Sequence, residues 1–384
     1  MFLPLRDRII TRLETDNSWH VVAFSSILRE YLSTAIRDNH FDVDGQRMGV
    51  NYYFLVPSIT GERIIFERSE NGIRNRATGF YVYEVLVGDE LVSDVFRLSL
   101  NNAGELYYSL VYVISQQYTA PRTAKILYEN GEADIFTLRF SLQRRDFGPV
   151  YMCREQGFPV VSIMIMGFPD STYGMDSENA RRFLAYAEEL QDEPVVIIDV
   201  RSNMGGNGSL APRFMHILTG ELLRGNFYAL RMQRYGAIGD TERVYESQTY
   251  TSAEISYIYW PSLSFDDNHV LAGSPATGVA KNDRLIILLT DRYTASSGDG
   301  FADLLFNMEN TLIIGQNTAG VMITCMAFGG MTLPHSGIEF GFGTHKFIHP
   351  PGHLPEGIGI TPDLWVNGNA VTAAVAFAEK WKQQ

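Results

Sequence analysis

Two apolar runs, "PVVIIDV" (194–200) and "RLIILLT" (284–290), constrain this chain more than any other feature. Neither alternates apolar with polar residues, so each reads as a strand with both faces buried. "VVSIMIMGF" and "TLIIG" read as further strands of this kind. Amphipathic stretches separate them: "DSENARRFLAYAEEL", "SLAPRFMHILTGEL" and "GDGFADLLFNMEN". In the last, Phe301, Leu304, Leu305 and Met308 share one helical face. Doubly buried strands alternating with helices predict an α/β core with a mainly parallel sheet covered on both sides.

This pattern holds from residue 150 to the end, and residues 150–384 form the expected core. Residues 43–149 have a different texture. Short runs such as "NYYFLV", "GFYVYEVLV" and "IFTLRFSL" alternate with Gly, Asn and Asp turns, which predicts a β-rich middle domain. "NGEAD" is its plainest hairpin turn. Its Tyr52, Tyr53, Tyr107 and Tyr108 read as sheet packing, with a peptide-binding groove as the functional version. Residues 1–42 read as a helical segment. Phe24, Ile27, Leu28, Tyr31, Leu32, Ala35 and Ile36 recur at helical spacing until Asp38 and Asn39, leaving His40 just past the helix end.

The net charge of −13 excludes a phosphate-binding surface as the main business of the chain, so no nucleic-acid partner is expected. No apolar run has the length of a membrane-spanning helix. Two cysteines, Cys153 and Cys325, make neither a disulfide framework nor a zinc pattern, and no cofactor is expected. The start "MFLPLRDRII" lacks the pattern of a secretory leader.

Ligands of parallel α/β sheets bind beyond the carboxyl ends of the strands. Two loops occupy that place. "DVRSNMGGNGS" (199–209) carries Gly205 and Gly206, where a bare backbone lets an N–H approach a substrate oxygen. Ser209 stands where the next helix would be capped. "DRYTASSGDG" (291–300) puts Ser296 and Ser297 at a sharp strand-to-helix turn, with Asp299 in the first helical turn. Read singly, each loop is also a common turn.

Together the two loops resemble the C-terminal processing (tail-specific) serine peptidases. "VVIIDVRSNMGG" is similar to their glycine-loop strand, and "LLTDRYTASSGDGFADLLFNMENTLIIGQNTAG" to their nucleophile segment. "EGIGITPDLWV" (356–366) resembles their C-terminal motif, and "LSTAIRDNHFDV" a stretch near their N-terminus. The resemblance implies a crotonase-like core and peptide or protein substrates cleaved through an acyl-enzyme. It implies Ser296 as nucleophile, with the backbone N–H of Ser297 and of Gly205 or Gly206 as oxyanion donors. "TAKILYENGEADIFTLRF" faintly resembles the end of a PDZ domain, which many members carry in the middle. The extracytoplasmic setting of such peptidases would apply if a leader has been removed.

One departure matters. Many members hold a lysine base where this chain has Val321, in "TAGV". Valine takes no proton, so a Ser–Lys dyad is excluded. A tricorn-core-like branch uses serine, histidine and glutamate, which maps here onto Ser296, His40 and Glu356. Asp299 and Asp363 are rivals of Glu356 and read better as turn and helix-start residues. His345, His349 and His353 are rivals of His40, and Pro350 and Pro351 prevent them from sharing a helix face for a metal. The alternative function is a catalytically inactive peptide- or ligand-binding relative on the same scaffold.

Overall fold

The computed structural model describes residues 2–16, 20–32, 38–47, 49, 52–58, 64–115, 121–141, 148–171, 175–225, 228–231, 278–322, 324–325, 329–343, 345–348 and 356–383. The chain divides into two compact units, each built from several segments. One comprises Met1–Val50, Arg224–Gly278 and Gly320–Gly359; the other comprises Asn51–Leu223, Val279–Ala319 and Ile360–Gln384.

The larger unit is an α/β assembly around a ten-stranded sheet. Its centre is parallel. Phe158–Ile163, Val195–Asp199, Leu285–Thr290, Thr311–Gly315 and Leu364–Trp365 pair in that order, and Leu364–Trp365 pairs in parallel with Phe96–Leu100. Val150–Glu155 adds an antiparallel strand at one edge. Leu106–Leu110, Phe66–Ser69 and Gly72–Asn75 extend the other edge, also antiparallel.

The central strands are sealed on both faces, as their unbroken apolar runs predict. Val195–Asp199 and Leu285–Thr290 are buried at every residue. Val195, Ile197, Leu285, Ile287 and Leu289 pack with Ala370, Ala373, Ala374 and Ala378 of the helix Ala370–Trp381. Alanines let that helix lie close to the sheet. Its start is capped by Asn369, whose side chain accepts from the N–H groups of Val371 and Thr372. Alternate residues point to the opposite face. There the helices Met175–Glu189, Leu210–Thr219 and Ser297–Leu305 meet through Phe183, Phe214 and Phe301. The first two rings stack at 4.2 Å, and the third meets Phe214 edge-on at 6.3 Å.

A second, six-stranded antiparallel sheet in this unit runs Tyr112–Ser115, Tyr52–Pro57, Ala133–Phe140, Arg122–Tyr128, Val82–Val87, Glu90–Val92. The "NGEAD" turn joins two of these strands, as its composition suggests. Leu55, Val85, Val87, Ala124, Ile126, Phe136 and Leu138 alternate inward and form the core beneath it.

The smaller unit holds the helices Phe2–Asp16 and Val21–Leu32 and two small sheets. Leu28, Val43, Ile338 and Phe340 make its core. The strand Asp42–Val43, two residues after His40, pairs with Glu339–Phe342. Among the described residues, no helix is long and apolar enough to cross a membrane.

Candidate active site

In the larger unit, the strand Leu285–Thr290 feeds a loop that turns into the helix Ser297–Leu305. Ser296 is the hinge of that turn, with φ 55° and ψ −114°. An L-residue at positive φ strains its backbone by about 1–3 kcal/mol, and it persists only where its surroundings hold it there. The surroundings here are dense. Ala295 N–H donates to Asn203 C=O at 2.8 Å, and Ala319 N–H donates to Thr294 C=O at 2.7 Å. Gly298 N–H donates to Ala295 C=O at 2.8 Å and Gly300 N–H to Ser296 C=O at 2.9 Å. The Thr294 hydroxyl reaches across to Val200 C=O at 2.9 Å.

Asp291 braces the base of the loop. Its carboxylate accepts from Ser202 N–H at 2.8 Å, Ser202 Oγ at 3.2 Å and Tyr293 N–H at 2.9 Å. Burial pushes the Asp291 carboxyl above the ordinary carboxylate range, and these donors oppose that shift. Beside it, Arg201 and Asp199 form a buried bidentate pair, Nε to Oδ1 at 2.9 Å and Nη2 to Oδ2 at 2.8 Å.

The glycine loop lies directly against this turn. A Cβ on Gly205 would stand 2.7 Å from Ser296 Cβ, 2.8 Å from Ala295 O and 3.0 Å from Ser297 N. Only glycine allows so close an approach, and φ of +98° is a second reason for it. Asn203 shapes the loop from inside. Fully buried, it accepts Gly205 N–H on Oδ1 at 2.8 Å and donates from Nδ2 to Ile163 C=O at 3.0 Å. Met166 N–H donates to Gly205 C=O at 2.9 Å, and Asn207 N–H donates to Met166 C=O at 2.5 Å. The Ser297 hydroxyl donates to Gly206 C=O at 2.7 Å. So Ser296, Ser297, Gly205 and Gly206 come together, and the Gly205 amide is already engaged by Asn203.

In the smaller unit, His40 and Glu356 share a neighbourhood. Glu356 Oε1 accepts from Asn39 N–H at 2.8 Å, the residue before His40. Glu356 Oε2 accepts from Met322 N–H at 3.0 Å, the residue after Val321. His40 N–H donates to Asp38 Oδ1 at 2.8 Å, and Thr324 Oγ1 donates to Asp38 Oδ2 at 3.0 Å. Burial, then the charge of Arg47, lowers the His40 pKa to about 4. The imidazole is therefore neutral at pH 7. Val321 is buried.

Other expectations resolve less simply. Ser209 does stand at the start of the helix Leu210–Thr219, but it makes no side-chain cap; its hydroxyl donates to Asn207 Oδ1 at 2.9 Å. Its backbone is helical, at φ −76° and ψ −14°, whereas a capping residue is usually extended so that its oxygen reaches back to the helix N–H groups. Asp299 lies buried in the first helical turn after Ser296. Asp363 serves the sheet: its carboxylate accepts Ile313 N–H at 2.8 Å, while its own N–H donates to Ile313 C=O at 2.8 Å. His345 opens the strand His345–Ile348, while His349 and His353 lie outside the described residues. Among the described residues, no group of His, Cys, Asp and Glu could hold a metal ion. Cys153 is a free thiol whose pKa is raised by burial and by Glu155 and Asp199.

Residue composition did not point to Asn203, Asp291 or the Ser297 hydroxyl as parts of this site. The only local signal for Asn203 is its place two residues before Gly205, where an Asx side chain can hold the following turn.

A serine at a strained strand-to-helix turn, pressed against a glycine loop, is the arrangement of a serine-type hydrolase. Residues 163–366 match Peptidase family S41, a span that contains both loops and Glu356. The chain belongs to this family and is a serine-type peptidase. His40 lies outside the matched span. Among curated proteins none matches the sequence. Among solved structures, mature CPAF is similar at 12% identity and a TM-score of 0.48, over 100% of this chain and 90% of that one. The photosystem II D1 C-terminal processing protease is similar at 14% identity and a TM-score of 0.38, over 93% of this chain and 86% of that one. The tricorn protease is similar at 15% identity and a TM-score of 0.29, over 90% of this chain and 29% of that one.

Proposed function

We propose that this peptidase cleaves peptide bonds with Ser296 as nucleophile, His40 as general base and Glu356 as the group that fixes the histidine segment. The observation that carries the reading is the backbone of Ser296. A non-glycine residue is held at φ 55° and ψ −114° at the start of a helix, and its side chain does not cap that helix. In the acylation step Ser296 Oγ attacks the substrate carbonyl carbon while His40 takes the hydroxyl proton. The carbon–nitrogen bond then breaks, and the same proton passes to the leaving amine. Water, deprotonated by His40, hydrolyses the ester.

The low pKa of His40 supports this role in one respect: the ring is unprotonated at neutral pH and can take up a proton. Glu356 supports it by holding the backbone on the N-terminal side of His40. For the oxyanion, the free choices are the N–H groups of Gly206 and Ser297, since the Gly205 N–H is bonded to Asn203.

The test is labelling with a biotinylated fluorophosphonate, which reacts only with an activated serine. Wild type is expected to label on Ser296, and both Ser296→Ala and His40→Ala are expected to lose the label. A wild-type chain that hydrolyses casein but labels elsewhere would remove Ser296 from the mechanism.

A further inference from the structure

We infer that the Ser297 side chain is a positioning residue, whose hydroxyl bond to Gly206 C=O sets the distance between the two oxyanion donors. The inference rests on the reading of Ser296 as nucleophile. Ser297 enters that reading through its backbone N–H alone; the hydroxyl is a separate group with a separate contact.

Gly206 is the residue of the glycine loop whose carbonyl meets the Ser297 side chain. It sits at φ +125°, in a region that side-chain-bearing residues rarely adopt and that glycine crosses freely. Four bonds restrain the loop around it. Gly205 N–H donates to Asn203 Oδ1, Met166 N–H donates to Gly205 C=O, and Asn207 N–H donates to Met166 C=O. A trans peptide points its C=O and N–H in opposite directions. With Gly205 C=O aimed at Met166, the Gly206 N–H is turned to the other edge of the loop. These bonds set the direction of that N–H but not its separation from Ser297.

The fourth bond supplies the separation. Ser297 Oγ donates to Gly206 C=O at 2.7 Å, across 91 positions of sequence. It joins the two residues that carry the two donor N–H groups. One end is the first residue of the helix Ser297–Leu305 and the other is a glycine at positive φ. An oxyanion is stabilised only if both donors reach it together, and displacements well under 1 Å are costly. Without the latch, Gly206 samples orientations in which its N–H no longer converges with that of Ser297.

The experiment measures kcat and KM on fluorescein-labelled casein, with fluorophosphonate labelling mapped by mass spectrometry. Wild type, Ser297→Ala, Ser297→Thr and Ser296→Ala are compared. Ser297→Ala keeps the backbone N–H and the helix start, so the fold is retained. It is expected to lower kcat about tenfold and leave KM within about twofold, because the lost contact matters in the transition state. Ser297→Thr keeps the hydroxyl and is expected to return kcat to within about twofold of wild type. The label stays on Ser296 throughout.

If Ser297→Ala keeps wild-type kcat with the label on Ser296, the latch is refuted and the nucleophile reading stands. A low kcat in both Ser297 variants also refutes it, since the hydroxyl then fails to rescue. If Ser297→Ala abolishes labelling while Ser296→Ala retains it, Ser297 is the nucleophile, and both readings fall.

Discussion

Replacing Gly205 with alanine tests how tightly the two loops are fitted. The new methyl group would meet Ser296 Cβ at 2.7 Å, Ala295 O at 2.8 Å and Ser297 N at 3.0 Å. Ordinary contact begins near 3.4 Å. The atoms it meets are short side-chain and backbone atoms, which cannot swing aside, so one loop must move by roughly half an ångström or more. The φ of +98° adds about 1–2 kcal/mol for any L-residue. A displacement of that size at the nucleophile is expected to lower kcat about a hundredfold. Gly220→Ala is the control. Gly220 also has positive φ, +80°, but nothing lies within 4 Å of its Cβ position. It should show the backbone penalty in thermal unfolding and keep full kcat. Casein hydrolysis and the unfolding midpoint are measured for both. If Gly205→Ala retains kcat within about threefold of wild type, the close packing of the loops is not what holds Ser296 in place.

Acid should destabilise the chain through His40. Its folded pKa of about 4 lies below the unfolded value near 6.5, so the unfolded state binds the proton first as pH falls. Stability is complete above about 6.5 and declines towards pH 4, by about 3 kcal/mol in all. Urea unfolding at pH 7 and pH 4.5 should show most of this loss in wild type and little of it in His40→Asn. The same shift predicts that the acid limb of kcat/KM lies near pH 4; a limb near 6.5 would contradict it. Asn369→Ala removes the cap of the helix that seals the sheet and should cost about 1 kcal/mol without changing kcat, read by urea unfolding and casein hydrolysis. Asp291→Ala leaves the N–H groups of Ser202 and Tyr293 without their acceptor, and should lower stability by about 1–3 kcal/mol by the same unfolding measurement.

The parts of this molecule that were legible in the sequence are those dictated by burial. A strand with two covered faces has no polar alternation, so "PVVIIDV" and "RLIILLT" announce the parallel sheet by themselves. The helix faces around Phe183, Phe214 and Phe301 follow from 3.6-residue spacing. The two glycines of the loop were legible as a close approach, though not as an approach to Ser296 itself. Contacts that depend on distant partners were not legible. Asn203 looks like any loop asparagine until Ile163 and Ala295 are placed beside it. Ser209 has the right residue type and position for a cap, and only its helical backbone shows why it does not act as one. The order of the two serines at 296 and 297 was open in composition, because residue type says nothing of which one carries the strained backbone.

That strain has a bearing on what mutation can do to this sequence over time. At φ 55°, glycine would relax the turn at position 296, and so would be favoured by stability alone. A lineage released from catalysis has an open path downhill: one codon change removes the hydroxyl and firms the fold together. On the proposed role of Ser296 as nucleophile, a serine standing there is held against that drift. Loss of the serine in a sister sequence, accompanied by a higher unfolding midpoint, would therefore mark the moment at which such a lineage ceased to be an enzyme and kept only its scaffold.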